Sequence, residues 1–190
     1  DVCSSDLLGN EVNIKINYTA LAMKVIDQLY DKINVTKIDE LTSEQCASMS
    51  SIHPDYNILA GRVVVSNNHK NIQKSFSETM MDLYNYKDKH GNNSPLVSEE
   101  FINVVKANSE LLDKSCDYSR DYLIDYFGFK TLERAYLMKI DKKIVERVQH
   151  MWMRVSVGIH FSNIDRVLET YNYMSDRKST RLNSSHITIS

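Results

Sequence analysis

Apolar residues recur every three or four positions along most of the chain, which is the spacing of one face of an α-helix. In residues 17–32, for example, Leu21, Val25 and Leu29 repeat every four residues. The same spacing predicts further helices over 36–50, 54–67, 77–84, 99–112, 117–127, 130–137, 149–159 and 162–176. We therefore predict a mainly α fold.

Small polar side chains mark where several of these helices should begin, because an N-cap side chain accepts a hydrogen bond from a free amide of the first turn. Thr36, with Asp39 three residues later, is the predicted cap of the second helix. Ser98 and Ser162 are the predicted caps of later helices, and Ser77 is predicted to open the helix over 77–84. The second helix is expected to turn one face inward, made of Ile38, Leu41, Gln45 and Met49.

Two stretches depart from the helical pattern. Residues 87–95 (KDKHGNNSP) are polar and contain Gly and Pro, which predicts a loop. Residues 138–146 alternate about a polar turn, which predicts one small β-hairpin near 136–147. Gly128 is expected to separate the helical pieces on either side of it.

Composition narrows the class of protein. The 190 residues include 23 Lys and Arg against 25 Asp and Glu, whereas a nucleic-acid-binding surface needs basic residues in clear excess. No apolar run approaches the roughly 18 residues of a membrane span. The low counts of 5 Gly and 2 Pro disfavour barrels and glycine-looped nucleotide folds. We expect neither nucleic acid nor a membrane as a partner.

The three cysteines, Cys3, Cys46 and Cys116, are too far apart for a disulfide framework or a zinc knuckle. We expect Cys46 and Cys116 to be buried apolar side chains in a reducing cytosol. The six histidines lack the paired spacing of metal ligands, so no metal site is predicted.

Two charged clusters allow more than one interpretation. Three basic residues share one predicted helix: Arg147, His150 and Arg154. They either meet a phosphate or form a solvated, carboxylate-paired face. Three acids recur every four residues: Asp117, Asp121 and Asp125. They form either a carboxylate site or a polar face paired with a neighbouring arginine. The structural interpretation is favoured for both, so the residue pattern alone predicts no catalytic site.

Several short strings are more specific than this periodicity. In chain order they are 53–62 (HPDYNILAGR), 65–70 (VSNNHK), 118–122 (YSRDY), 126–134 (YFGFKTLER), 149–155 (QHMWMRV) and 169–172 (ETYN). Together they resemble the large (α) subunit of class I ribonucleoside-diphosphate reductase, and they fall in order within about residues 8–176.

That resemblance implies an N-terminal fragment of the subunit. Residues 8–75 would be part of the ATP-cone, which is the family's allosteric module. Residues 76–176 would be the N-terminal helical domain that packs on the catalytic barrel. The barrel would be absent, together with its redox-active and radical cysteines, so the fragment alone is expected to be inactive. Apolar faces left exposed by the missing barrel are expected at Phe127, Phe129, Trp152 and Met153.

The resemblance also implies an allosteric site for ATP and dATP, and no metal in this subunit. Asp39 matches the family's acidic residue that contacts the adenine nucleotide, and Lys70 matches a lysine near the effector's phosphates. The alternatives are a helix cap for Asp39 and a solvated helix end for Lys70. By the same resemblance we expect the cone's opening segment to be missing, Val35 to stand where many members carry a hydroxyl, and the site to be incomplete.

Further expectations follow from the family's function, which is the reduction of ribonucleoside diphosphates to deoxyribonucleoside diphosphates for DNA synthesis. The partners would be a small (β) radical-generating subunit and a second large subunit, and the nucleoside diphosphate would bind the missing barrel. The expected location is cytoplasmic. The alternatives are a free-standing ATP-cone-type nucleotide-binding regulatory module and a helical interaction domain without a ligand.

Both ends of the chain differ from that family. Residues 1–7 (DVCSSDL) and 177–190 (RKSTRLNSSHITIS) resemble translated sequencing-adapter sequence and are expected to be artefacts. Cys3 and His186 are therefore left outside the functional interpretation.

Overall fold

The computed structural model describes residue 14 and residues 16–176. Within these residues it contains nine α-helices, two 3-10 helices and one two-stranded antiparallel hairpin. The mainly α class and the single hairpin are thereby confirmed. The terminal segments predicted to be artefacts, 1–7 and 177–190, lie outside the described residues.

The helices, numbered in chain order, are α1 (Tyr18–Ile26), α2 (Val35–Ser48), α3 (Asp55–Asn71), α4 (Phe76–Tyr84), α5 (Glu99–Ala107), α6 (Ser109–Ser115), α7 (Tyr126–Ala135), α8 (Val148–His160) and α9 (Ile164–Ser175). The strands are β1 (Lys139–Ile140) and β2 (Lys143–Ile144), and the 3-10 helices are Met49–Ser51 and Tyr118–Leu123.

Most helices begin at a capping side chain, but not always at the predicted one. Ser98 caps α5 as predicted, because its Oγ accepts a hydrogen bond from the Phe101 amide at 3.2 Å. The other two cap predictions were wrong, because Asn34 and Asn163 are the capping residues, not Thr36 and Ser162. The helix predicted to open at Ser77 begins one residue earlier, at Phe76, with Ser75 as its cap. Each site offers neighbouring residues that are able to cap a helix, and the backbone path decides between them.

Several predicted helix boundaries differ from the structure. The predicted helix 99–112 is divided at Asn108 into α5 and α6. The first helix ends at Ile26 rather than at residue 32, and the chain then passes through Lys32 at φ 62°. Gly128 does not break a helix, because it lies in the first turn of α7. The break falls just before α7, where the Asp125 carboxylate accepts a hydrogen bond from the Gly128 amide at 2.8 Å. The stretch 117–127 contains a 3-10 helix instead of the predicted α-helix.

The predicted hairpin and loop are both present. Ile140 pairs with Lys143 across a two-residue turn, in which Asp141 and Lys142 have φ of 48° and 67°. Two-residue turns of type I′ require a positive φ at both central positions. In the loop 87–95 the positive φ, 81°, falls on Gly91, where a side chain would be disfavoured.

The described chain divides into two compact units. The first comprises residues up to Asn71 together with Ile124–Ala135, and the second comprises Ile72–Leu123 and the residues from Tyr136 onward. The resemblance assigned residues 124–135 to the second predicted domain, whereas α7 packs against α3 in the first unit. Gly61 allows this approach, because a Cβ at that position would lie only 2.8 Å from the Ile124 carbonyl oxygen.

The inner face of α2 is unusually polar and small. Its buried residues are Asp39, Thr42, Ser43, Cys46 and Ala47. The predicted face is only partly buried: Met49, which follows α2, is buried, whereas Ile38, Leu41 and Gln45 are half-buried. Small side chains allow α3 to pack closely on this helix, so the apolar periodicity identified the helix but not its buried face.

The second unit has a continuous apolar core. It is made of Phe76, Met80, Leu83, Phe101, Ile102, Val105, Leu112, Cys116, Met153, Val157, Val167 and Tyr171.

The expectation of exposed apolar faces was wrong for Met153 in the second unit and Phe129 in the first, which are 0% and 2% exposed. It was also wrong for Trp152, which packs partly buried against this core. It is confirmed for Phe127 in the first unit, which is 62% exposed.

Candidate functional site

The two residues predicted to bind an effector lie side by side in the first unit. Asp39 is in the second turn of α2, and Lys70 is in the last turn of α3. The Lys70 Nζ lies 3.0 Å from the Asp39 Oδ2, although 31 residues separate the two along the chain. The packing of α3 on α2 thus brings both residues together.

The two partners of this ion pair are unequally buried. The Asp39 side chain is 9% exposed, whereas the Lys70 side chain is 45% exposed. In the described part of the chain, Lys70 is the one hydrogen-bond partner of this carboxylate. The ammonium therefore compensates a charge that water reaches poorly, while it remains open to solvent itself. The helix-cap alternative for Asp39 does not apply, because Asn34 caps α2.

Polar contacts beside the ion pair join the beginning of α2 to the last turns of α3. Asn67, one turn before Lys70, donates its Nδ2 to the Thr36 carbonyl oxygen at 3.4 Å. The Asn67 Oδ1 accepts a hydrogen bond from the Asn71 side chain at 2.9 Å. Sequence reasoning missed Asn67 as a neighbour of the site. Its i, i+3 spacing from Lys70, which places both on one helix face, was the available signal.

The chemistry of this pair suits a ligand with both donors and negative charge. A carboxylate accepts hydrogen bonds from an amino group or a sugar hydroxyl. A lysine ammonium is a compact charge with three donors, and it commonly binds phosphate. Val35 is 53% exposed at the start of α2.

The basic cluster of the second unit is occupied by structural contacts. The Arg147 guanidinium donates to the Ile72 carbonyl oxygen at 2.8 and 3.2 Å, and it lies 5.0 Å from the centre of the Tyr118 ring. Burial lowers the pKa of Arg147. The buried His150 has its Nε2 3.0 Å from the Tyr118 hydroxyl and 3.2 Å from the Lys74 carbonyl oxygen. We refer to these contacts with the carbonyls of residues 72 and 74 as the α8 clamp.

The third basic residue of that cluster forms a buried ion pair. The Arg154 Nε and Nη2 donate to the two Glu146 carboxylate oxygens at 2.6 and 3.1 Å. Glu146 is fully buried and also accepts a hydrogen bond from the Met138 amide at 2.8 Å. The carboxylate-paired interpretation is confirmed for Arg154, and none of the three basic residues forms a phosphate site of its own.

The three regularly spaced acids have separate structural roles, so they form no carboxylate site. Asp117 pairs with Arg120 at 3.2 Å, and a hydrogen bond from Ser119 lowers the pKa of the Asp117 carboxyl. The buried Asp121 accepts a hydrogen bond from Gln149 at 2.9 Å. Asp125 accepts the amide hydrogen bond at the start of α7 described above.

A buried chain of hydrogen bonds, which we call the relay, begins at Asp121 and continues through Gln149. The Tyr171 hydroxyl donates to the Gln149 Oε1 at 2.7 Å and accepts a hydrogen bond from the Asp117 amide at 2.9 Å. Burial raises the pKa of Tyr171 to about 12, so its hydroxyl stays protonated and able to donate near neutral pH. The relay ties α8 and α9 to the segment that leads into the 3-10 helix Tyr118–Leu123.

Comparison with known proteins identifies the family. A family model described as "Ribonucleotide reductase, all-alpha domain" matches residues 122–180. The ribonucleoside-diphosphate reductase large subunit of Danio rerio is 47% identical over 163 residues, which are 85% of this chain and 20% of the relative. Its counterparts from Variola virus and Arabidopsis thaliana are 49% and 48% identical over 158 residues, which are 83% of this chain and 20% and 19% of those relatives. The chain belongs to the ribonucleotide reductase large-subunit family.

The match to this reductase family is partial in length. The chain spans about a fifth of the length of the curated relatives it matches. The family model covers α7 to α9 and continues to residue 180, so it includes the first four residues of the 177–190 segment that was expected to be foreign.

Three further observations concern the thiols, the possible metal ligands and the helices of the described residues. Burial raises the pKa of both the Cys46 and the Cys116 thiol to about 12, in agreement with their prediction as buried apolar side chains. Among the described residues, no three or more His, Cys, Asp or Glu side chains are grouped to hold a metal ion. The helices of the described region also include none with the length and apolarity to cross a membrane.

Proposed function

We propose that this chain supplies regulatory and scaffolding parts of a ribonucleoside-diphosphate reductase large subunit. The observation that carries the proposal is sequence identity of nearly one half to such subunits over more than four-fifths of the chain. Chains this similar over so many residues share a fold, and the family model covers the part of the chain that contains α7 to α9.

The reaction of the whole protein would be the reduction of ribonucleoside diphosphates to deoxyribonucleoside diphosphates. It uses a radical cysteine and a pair of redox-active cysteines, whose motifs do not match Cys46 or Cys116. A thiol with a pKa near 12 is a poor source of reactive thiolate at neutral pH. We therefore expect this chain alone to be catalytically inactive, and turnover of a nucleoside diphosphate by the purified chain would refute that.

The regulatory part of the proposal assigns an adenine nucleotide effector, ATP or dATP, to Asp39 and Lys70. The 3.0 Å separation supports it, because one small ligand would reach both side chains. Lys70 would bind the phosphates, and Asp39 would accept a hydrogen bond from the base or the sugar. The residues 8–75 would then act as part of an ATP-cone.

The partners and location are proposed with the function. The partners are a small radical-generating subunit, a second large subunit and a nucleoside diphosphate bound by the rest of the protein, with no metal held by this chain. The location is cytoplasmic. The near-neutral charge of −2 supports the expectation that nucleic acid is not a partner.

Calorimetric titration of the purified chain with ATP and with dATP tests the regulatory role. Lys70→Met is expected to weaken binding of both nucleotides at least tenfold, because it removes the charge that meets the phosphates. Lys24→Met is the matched control, since Lys24 is an exposed lysine of α1 in the same unit. If the unaltered chain binds neither nucleotide, the helical interaction domain becomes the better interpretation.

A further inference from the structure

We propose that the Asp39 carboxylate competes with ligand phosphates for the Lys70 ammonium, so that the ion pair selects nucleotides over bare polyphosphates. The proposal rests on the proposed nucleotide site and adds a rule for what that site accepts. Its basis is the geometry of one contact: a nearly buried carboxylate whose hydrogen-bond partner in the described chain is a half-exposed lysine at 3.0 Å.

The first step of the argument concerns the approach of a phosphate. The ammonium of Lys70 presents free N–H donors to solvent, because only one of its three is needed by Asp39. A phosphate oxygen on such a donor would stand a few ångströms from the carboxylate. Two negative groups this close repel each other, and the repulsion is greatest on the side of the nearly buried Asp39 carboxylate, which water screens poorly. A bound polyphosphate therefore has to draw the ammonium away from Asp39.

The second step concerns what Asp39 is left with when the pair opens. Its side chain is 9% exposed, so water compensates the carboxylate poorly. An inorganic polyphosphate offers almost only acceptor oxygens at neutral pH and does not replace the lost donor. A nucleotide brings an amino group and sugar hydroxyls, either of which donates to a carboxylate. The carboxylate thus weakens the binding of a bare polyphosphate more than it weakens the binding of a nucleotide.

Inorganic tripolyphosphate and ATP, both without divalent cations, are the probes that test this selection. Dissociation constants would be measured by phosphorus NMR titration or calorimetry for the unaltered chain, Asp39→Asn, and the double variant Asp39→Asn/Lys70→Met. Glu44→Gln is the matched control, because it removes one negative charge from the exposed side of the same helix. Circular dichroism checks the fold of each variant, and Asp39→Ser replaces Asp39→Asn if that variant is unfolded.

Asp39→Asn is expected to bind tripolyphosphate about tenfold more tightly than the unaltered chain, which is the lower end of the coupling measured for close charge pairs. Glu44→Gln should change this affinity less than twofold, and the added Lys70→Met should abolish the gain. The ratio of ATP to tripolyphosphate affinity should fall in Asp39→Asn. An unchanged or weaker tripolyphosphate affinity in Asp39→Asn, or a gain equal to that of Glu44→Gln, would overturn the proposal.

These outcomes separate this inference from the proposed function. If Asp39→Asn gains tripolyphosphate affinity through Lys70 but the unaltered chain does not bind ATP, the competition holds and the adenine effector is wrong. If ATP binds and the substitution brings no gain, the effector site holds and the competition is wrong.

Discussion

Replacing Arg154 with methionine tests how much the buried ion pair at the start of α8 contributes to stability. The substitution removes two charge-assisted hydrogen bonds, of 2.6 and 3.1 Å, from a Glu146 carboxylate that is fully buried. Breaking a buried pair on one side costs about 3–5 kcal/mol, because the other charge stays uncompensated. Since the Arg154 side chain is 21% exposed, we expect the lower end, about 3 kcal/mol.

Urea denaturation followed by circular dichroism measures this loss, with Arg166→Met as the matched control. Arg166 forms a 3.0 Å ion pair with Glu169 on α9, but the two side chains are 64% and 45% exposed. Exposed pairs of this kind contribute about 0.2–1 kcal/mol. Adding Glu146→Gln to Arg154→Met should recover about 1–2 kcal/mol, because a neutral amide replaces the stranded charge. Equal losses for Arg154→Met and Arg166→Met would refute the reasoning.

Further substitutions test other contacts of the two units. Tyr171→Phe removes a hydroxyl from the buried relay and is expected to lower the free energy of unfolding by about 1–3 kcal/mol in urea. Gly61→Ala is expected to cost about 1–3 kcal/mol by thermal melting, because its Cβ would lie 2.8 Å from backbone. A Cβ at Gly158 would have no other atom within 4 Å, so Gly158→Ala should instead raise the free energy of unfolding by about 0.5–1 kcal/mol. A lower free energy of unfolding for Gly158→Ala would contradict the open space seen there. Because burial raises the pKa of Cys46 and Cys116 to about 12, both should resist alkylation at pH 8 until urea unfolds the chain, as read by peptide mass spectrometry.

The helices and the hairpin could be predicted from the sequence because their signals are local. Apolar spacing located α5, α8 and α9, and the alternation about a polar turn located the hairpin. The exact caps were less predictable, because Asn34 and Thr36 are both able to accept a first-turn amide hydrogen bond. The buried face of α2 was missed because its buried residues are small or polar rather than large and apolar.

The candidate site was predicted only through the resemblance, and its geometry was not predicted at all. Asp39 and Lys70 lie on different helices, and no local pattern specifies that α3 packs so that the two meet at 3.0 Å. The buried polar groups of the second unit were equally unpredictable. Arg147 and His150 have a sequence pattern typical of an exposed basic face, and long-range contacts with backbone carbonyls and with Tyr118 make their burial favourable.

The α8 clamp has a consequence for how this stretch of sequence is free to vary over evolution. Its acceptors at positions 72 and 74 are main-chain oxygens, which every amino acid supplies. Exchange of the solvent-facing Lys74 side chain therefore leaves the contact in place. The donor side has no such freedom, because only a guanidinium offers two N–H groups in that fixed fork. Amino-acid substitutions at positions 72 and 74 thus leave the contact intact, whereas substitution of Arg147 removes it.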